Sequence, residues 1–99
     1  MKHFRTYQLA LELNRDLATI CLKGPLKDQA ERAVLSIALN LSEGTGRSGK
    51  ARVHFFRIAY GSTREVQTCL ELARSPLHEK ADRLGGMIYN LIQRPGRGP

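Results

Sequence analysis

The stretch "AVLSIALNLSEGTGRSGKA", residues 33–51, decides the fold because it allows two opposite interpretations. From Gly44 to Lys50 it has the G-x-x-x-x-G-K spacing of a nucleotide-binding P-loop. A P-loop follows a buried β-strand and opens a helix, so that backbone N–H groups meet the phosphates. The secondary structure of the apolar run before the glycines therefore separates a nucleotide site from a simple corner.

The apolar residues before the glycines have helical spacing. They recur in steps of three and one, whereas a strand alternates with a period of two. The position after Lys50 is Ala51, where a P-loop carries the Ser or Thr that contacts Mg²⁺. We therefore reject ATP binding, expect no cofactor, and predict a helix that ends at the glycines, with this core stripe: Ala30, Ala33, Val34, Ile37, Ala38 and Leu41.

The same periodicity predicts helices on both sides of this one. The first runs near residues 4–22, and Pro25 suits the first turn of the second. The third begins near Ser48, a candidate cap, and runs to about residue 74. Its predicted core stripe is Phe55, Ala59, Ser62, Val66, Cys69 or Leu70, and Ala73.

The fourth helix is predicted to begin at "SPLHE", with Ser75 as its cap and Pro76 in its first position. Its core stripe is Leu77, Ala81, Leu84, Ile88 and Leu91. Short connections between four amphipathic helices favour an all-α fold, an antiparallel up-down-up-down four-helix bundle. We predict one domain over residues 1–94 and a flexible basic tail over residues 95–99, after Pro95 ends the last helix.

Charge favours an acidic partner. Sixteen Lys and Arg face nine Asp and Glu, for a formal net charge of +7. That balance favours nucleic acid over a membrane surface. No apolar stretch approaches the roughly 20 residues of a membrane span. The first residues show no signal-peptide pattern, so we expect a cytoplasmic protein with no membrane partner.

Candidate catalytic and metal sites are weak. Di-iron bundles need Glu-x-x-His on two helices, and no Glu of this chain has His three residues later. Cys21 and Cys69 fit neither a metal site nor a disulfide framework and are interpreted as small, reduced hydrophobic residues. We predict no metal, no catalytic residue and no enzyme activity.

Two segments resemble a known family. "DQAERAVLSIALNLSEGTGR" and "HFFRIAYGSTREVQTCLELA" are similar to the 23S rRNA-intervening sequence proteins. The matching residues are Arg32, Ala33, Ser36, Ile37, Asn40, Glu43, Gly44, Gly46, Arg47, Phe55, Phe56, Ala59, Gly61, Ser62 and Glu65. The resemblance implies a four-helix bundle that forms a ring-like homo-oligomer, a pentamer, without enzyme activity. The fold is also similar to the accessory variability determinant of diversity-generating retroelements, a basic partner of nucleic acid and reverse transcriptase.

The polar residues of this signature have a structural interpretation. On helix two, Arg32, Ser36, Asn40 and Glu43 form a narrow band opposite the core stripe, just before Gly44. On helix three, Gly61 is followed by Ser62 and Glu65, which share one side. Antiparallel packing would join parts of these sets in a hydrogen-bonded clasp, because buried polar groups need partners. A functional site is the alternative.

Two leucines flank the polar band. Leu35 and Leu39 lie on a side of helix two that the bundle core cannot also cover. A helix that is apolar around most of its circumference is usually buried on more than one side. We predict a subunit interface there, with isolated surface leucines as the alternative.

Basic residues are concentrated in the third helix and the corner before it. Residues 44–64 contain no acid and five cations: Arg47, Lys50, Arg52, Arg57 and Arg64. Lys50, Arg57 and Arg64 are seven residues apart and face outward, with Tyr60 beside them. We predict contacts to the phosphates of RNA or DNA. A solvated face is one alternative, and a scaffold that binds a protein partner is the other.

Overall fold

The computed structural model describes residues 4–94, and within them every regular element is an α-helix. The helices are α1 (Phe4–Leu17), α2 (Pro25–Thr45), α3 (Gly49–Leu72) and α4 (His78–Gln93). Each packs against two others, since α2 contacts α1 and α3, and α4 contacts α3 and α1. The predicted all-α four-helix bundle is confirmed. The predicted tail, residues 95–99, lies outside the described residues.

The contacts between helices give the direction of two pairs. Ser36 of α2 meets Ser62 of α3, and Gly44, further along α2, meets Phe56, which comes earlier in α3. These contacts run in opposite order along the chain, so α2 and α3 are antiparallel. The contacts of α3 with α4 run in the same opposed order. The complete up-down-up-down order stays a prediction.

Helix α1 is shorter than predicted. It ends at Leu17, not near residue 22, and a tighter turn follows in which the Thr19 hydroxyl donates to the Asp16 carbonyl at 2.7 Å. Ser and Thr side chains compete in this way with the helical hydrogen-bond pattern. Gly24 then adopts a positive φ of 52°, and Pro25 begins α2 as predicted.

The corner between α2 and α3 resolves the question raised by the glycines. A helix, not a strand, precedes Gly44, so the corner lacks the architecture of a P-loop. Gly49 has a φ of 58°, a left-handed conformation that favours glycine. Ser48 occupies the capping position of α3 as predicted, but its side chain makes no capping hydrogen bond.

One core position differs from the prediction. Phe56 is fully buried, whereas Phe55 is only half-buried, so the assignment of Phe55 to the core stripe was wrong. The reason lies on α2, where Gly44 leaves space that the Phe56 ring fills. A Cβ atom placed on Gly44 would lie 2.6 Å from Cε1 of Phe56.

Helix α4 begins two residues later than predicted. Pro76 lies in a turn, and the Ser75 hydroxyl accepts a hydrogen bond from the backbone N–H of Leu77 at 3.2 Å. From His78 onward the predicted stripe is confirmed as buried: Ala81, Leu84, Ile88 and Leu91. No helix between Phe4 and Gln93 combines the length and apolar character that a membrane crossing requires.

An ion-pair cluster joins the first helix to the last. The Lys80 ammonium of α4 donates to Asp16 and, at 3.0 Å, to Glu12, both on α1. The hydrogen bonds to Asp16 and then Glu12 raise the pKa of Lys80 above its ordinary value, because both carboxylates favour the charged form. This cluster therefore reinforces the contact that closes the bundle.

Candidate nucleic-acid interface

Three cations form an exposed row along α3, which we call the basic stripe: Lys50, Arg57 and Arg64. All three are exposed, and none of their side chains makes a hydrogen bond or ion pair with another residue in the range 4–94. A rise of ~1.5 Å per residue separates the first from the last by roughly 21 Å. The basic stripe therefore presents unneutralised positive charge along one side of the bundle.

The other two predicted cations belong to the corner. The Arg47 guanidinium donates to Oε2 of Glu43 at 2.6 and 3.1 Å, and it lies over the Phe55 ring at 5.4 Å. Arg52 donates through Nε to the carbonyl oxygen of Arg47 at 2.9 Å. These contacts hold the chain between α2 and α3. Arg47 and Arg52 are thus engaged within the protein, while the basic stripe is not.

A shallow depression opens beside the start of the basic stripe. It has a volume of about 550 Å³ and is lined by Gly49, Lys50, Val53, His54 and Arg57. Two of its lining side chains are cations of the stripe, and His54 is exposed. Its surroundings suit an anionic group on the surface more than a small molecule enclosed by protein.

The structure brings three residues of the polar signature together. The hydroxyls of Ser36 and Ser62 are 2.8 Å apart across the α2–α3 contact. The Asn40 amide donates to the carbonyl oxygen of Ser36 at 2.9 Å and to its hydroxyl at 3.2 Å. Ser62 is buried, so its hydrogen bond with Ser36 satisfies a polar group within the contact between α2 and α3.

The remaining signature residues lie elsewhere. Glu43, near the end of α2, forms an ion pair with Arg47 four residues later. Arg32 is exposed. Glu65 is exposed one turn before Cys69; burial and then the Glu65 charge raise the pKa of that thiol. Gly44 is explained by the Phe56 ring. Gly61 has open space where a Cβ would lie.

The two flanking leucines point away from the core. Leu35 is 58% exposed and Leu39 is 60% exposed. They lie one helical turn apart on α2 and form an apolar strip, which we call the leucine strip. Nothing else in the described chain covers it.

Candidate metal and thiol chemistry has little support in the described part of the chain. Between residues 4 and 94 no cluster of three His, Cys, Asp or Glu side chains could hold a metal ion. Cys21 is an exposed free thiol and Cys69 a buried one.

A pair of tyrosines was not predicted as part of the site. Tyr60 of α3 and Tyr89 of α4 have ring centroids 5.9 Å apart with planes tilted by 51°. Tyr89 is 49% exposed. The sequence placed Tyr60 beside the basic stripe, but the approach of Tyr89 depends on how α3 and α4 pack, which local periodicity does not determine.

Comparison with known protein families identifies a match over most of the chain. Residues 2–82 match the family of 23S rRNA-intervening sequence proteins, from the start of the chain into the first turns of α4. A search of curated proteins and of solved structures found no match. The match covers well over half of the chain and agrees with the observed helices. The chain therefore belongs to the 23S rRNA-intervening sequence protein family.

Proposed function

We propose that this protein is a non-enzymatic homo-oligomer that binds the phosphate backbone of RNA or DNA through the basic stripe. The observation that carries the proposal is the row of three exposed cations without an acidic partner in the described chain. The family name, which refers to 23S rRNA, supports a connection with nucleic acid. The formal net charge of +7 acts in the same direction.

Counterion release is the expected source of affinity. Cations that contact phosphates displace counterions condensed on the nucleic acid, and this contribution weakens as salt rises. Lys50, Arg57 and Arg64 extend over roughly 21 Å of helix, which is long enough to touch several phosphates. Phosphate contacts carry no sequence information, so binding should depend strongly on salt and weakly on sequence.

Assembly would multiply this effect. We propose that the leucine strip packs against a second copy of the chain, because two adjacent leucines about 60% exposed would otherwise remain in water. The family resemblance favours a pentamer. Repetition of the basic stripe in every subunit would raise avidity without any new contact.

Salt dependence of binding tests the proposal. We predict that the triple variant Lys50→Ala, Arg57→Ala, Arg64→Ala reduces the slope of log affinity against log salt by about one for each lost phosphate contact. Fluorescence anisotropy with labelled RNA and DNA at several salt concentrations measures this slope. A matched control removes three exposed cations from other helices and loops and leaves the same net charge: Lys23→Ala, Lys27→Ala, Arg83→Ala.

The control separates a specific surface from overall charge. The stripe variant should lose more affinity than the control variant, while both keep the melting temperature of the wild type. Equal affinity and equal slope in the stripe variant and the wild type would reduce the stripe to a solvated face. A scaffold that binds a protein partner, for which the exposed leucine strip is the supporting observation, would then be the better proposal.

A further inference from the structure

The tyrosine pair lies beside the basic stripe. Tyr60 follows Arg57 by three residues and precedes Arg64 by four, so the three side chains are neighbours on the surface of α3. Tyr60 is half-buried and its ring is next to that of Tyr89. The half-exposed ring of Tyr89 therefore contacts a residue, Tyr60, that neighbours two unneutralised cations of the basic stripe.

Two glycines precede Tyr89 by one helical turn. Side chains on a helix lean towards the preceding turn, and the residues three and four positions before Tyr89 are Gly86 and Gly85. Gly85 is buried, and the amide nitrogen of the Gln67 side chain lies 2.9 Å from where a Cβ on Gly85 would be. A Cβ atom on Gly86 would have no heavy atom within 4 Å, so this position, one helical turn before Tyr89, is open.

On the basis of the nucleic-acid binding proposed above, we infer that the bound strand is single-stranded and that one unpaired base stacks on Tyr89. Cations bind phosphates whether or not the bases are paired, but an aromatic ring can stack only on a base whose face is accessible. In a duplex those faces are already covered by neighbouring base pairs. A half-exposed aromatic ring, one side chain away from two exposed cations, is the combination that proteins use to bind single strands.

Tyr89 lies outside the part of the chain that matches the family. The match ends at residue 82, whereas Tyr89 and both glycines follow it. The exposed ring also favours nucleic acid over an acidic peptide, because a base offers a planar face that can stack on an aromatic side chain.

Binding to matched oligonucleotides tests the inference. Labelled oligo-dT and oligo-U of about 12 nucleotides are compared by anisotropy with a duplex of the same length, at the same salt concentration. We expect the single strands to bind more tightly than the duplex. Tyr89→Ala should weaken binding to the single strands about tenfold, within the usual range for one stacked base, and should hardly affect the duplex.

Two further variants control this experiment. Tyr89→Phe keeps the aromatic face and should bind the single strands like the wild type. Leu72→Ala removes another exposed apolar side chain, 67% exposed and near the end of α3, and should change nothing. Because stacking is not an ionic contact, Tyr89→Ala should keep the salt slope of the wild type, whereas the basic-stripe variant should not.

The possible results distinguish this inference from the proposed function. Duplex and single strand bound equally well, with Tyr89→Ala unchanged and the stripe variant weakened, would overturn stacking and leave phosphate binding in place. Equal losses for duplex and single strand in Tyr89→Ala, with a lower melting temperature, would assign Tyr89 a structural role and overturn the inference. No binding of either nucleic acid by the wild type would overturn both.

Discussion

Substitution of Gly44 by alanine tests how α2 and α3 are held together. A Cβ atom at this position would lie 2.6 Å from Cε1 and 2.8 Å from Cδ1 of Phe56, and 3.4 Å from the carbonyl oxygen of Arg52. The Phe56 ring is fully buried, so it cannot move aside without displacing other core side chains. The added methyl group must therefore strain the core or separate the two helices.

The magnitude follows from two opposed effects. Alanine in place of glycine within a helix normally stabilises by up to about 1 kcal/mol, because glycine loses more conformational freedom on folding. Overpacking of a well-filled core costs about 1–3 kcal/mol. Gly61 is also helical but has open space around it, so Gly61→Ala carries only the first effect. Gly44→Ala should therefore be about 1–3 kcal/mol less stable than Gly61→Ala.

Thermal unfolding followed by circular dichroism measures this difference. For a domain of this size, 1 kcal/mol shifts the melting temperature by about 4–8 °C, so the two variants should differ by at least about 4 °C. Both must be measured at one protein concentration, because the proposed assembly would make the melting temperature depend on concentration.

A double-mutant cycle with Phe56→Leu identifies the cause. Leucine removes the ring atoms that a methyl group on Gly44 would touch, so the two substitutions should compensate by about 0.5–3 kcal/mol. Gly44→Ala as stable as Gly61→Ala, with additive effects in the cycle, would refute the reasoning. Gly44 would then have no packing role.

Three other perturbations test separate contacts. Ser36→Ala should cost about 1–3 kcal/mol in unfolding experiments because it orphans the buried Ser62 hydroxyl, and addition of Ser62→Ala should restore part of that loss; a double variant no more stable than the single one would contradict this. Leu39→Glu should convert the proposed oligomer to smaller species in light scattering by placing an unpaired charge in the proposed interface; a monomeric wild type would remove the basis of this prediction. Lys80→Met should lower the melting temperature at pH 7, because it removes the charged ammonium that pairs with two carboxylates of α1. The difference from wild type should shrink as pH rises beyond about 10.4, the ordinary lysine pKa. A group whose pKa is raised in the folded state stabilises the fold fully below its unfolded pKa, and this stabilisation is lost as pH rises through its folded pKa. A pH-independent difference would contradict the ion-pair role.

Apolar periodicity was sufficient to predict most of the fold. The buried faces of α2 and α4 follow from helical spacing, because each amphipathic helix has one face to bury. Pro25 marked the start of α2 correctly since its fixed φ suits a first turn. Local turn chemistry was less visible, and Thr19 ended α1 earlier than its apolar residues indicated.

One core position and the different surroundings of the five predicted cations depend on folded geometry. Phe55 and Phe56 are adjacent, and the choice between them depends on Gly44, which lies on another helix. Likewise, five cations look equivalent along the chain. Only the folded corner shows that Arg47 and Arg52 bind within it while the basic stripe stays uncommitted. A tertiary contact with α2 selects Phe56, whereas Arg47 and Arg52 bind partners only four and five residues away, in a corner whose geometry the residue spacing does not give.

The continuity of α3 has a consequence for recognition. The three cations of the basic stripe lie on one uninterrupted helix, so their Cα atoms are held at a fixed interval of roughly 10 Å. This spacing cannot adjust to a ligand beyond the reach of the three side chains. A flexible single strand can bend until its phosphates reach all three cations. A stiff double helix offers only the phosphate spacings that its own geometry allows. Adaptation between the partners would thus come from the nucleic acid.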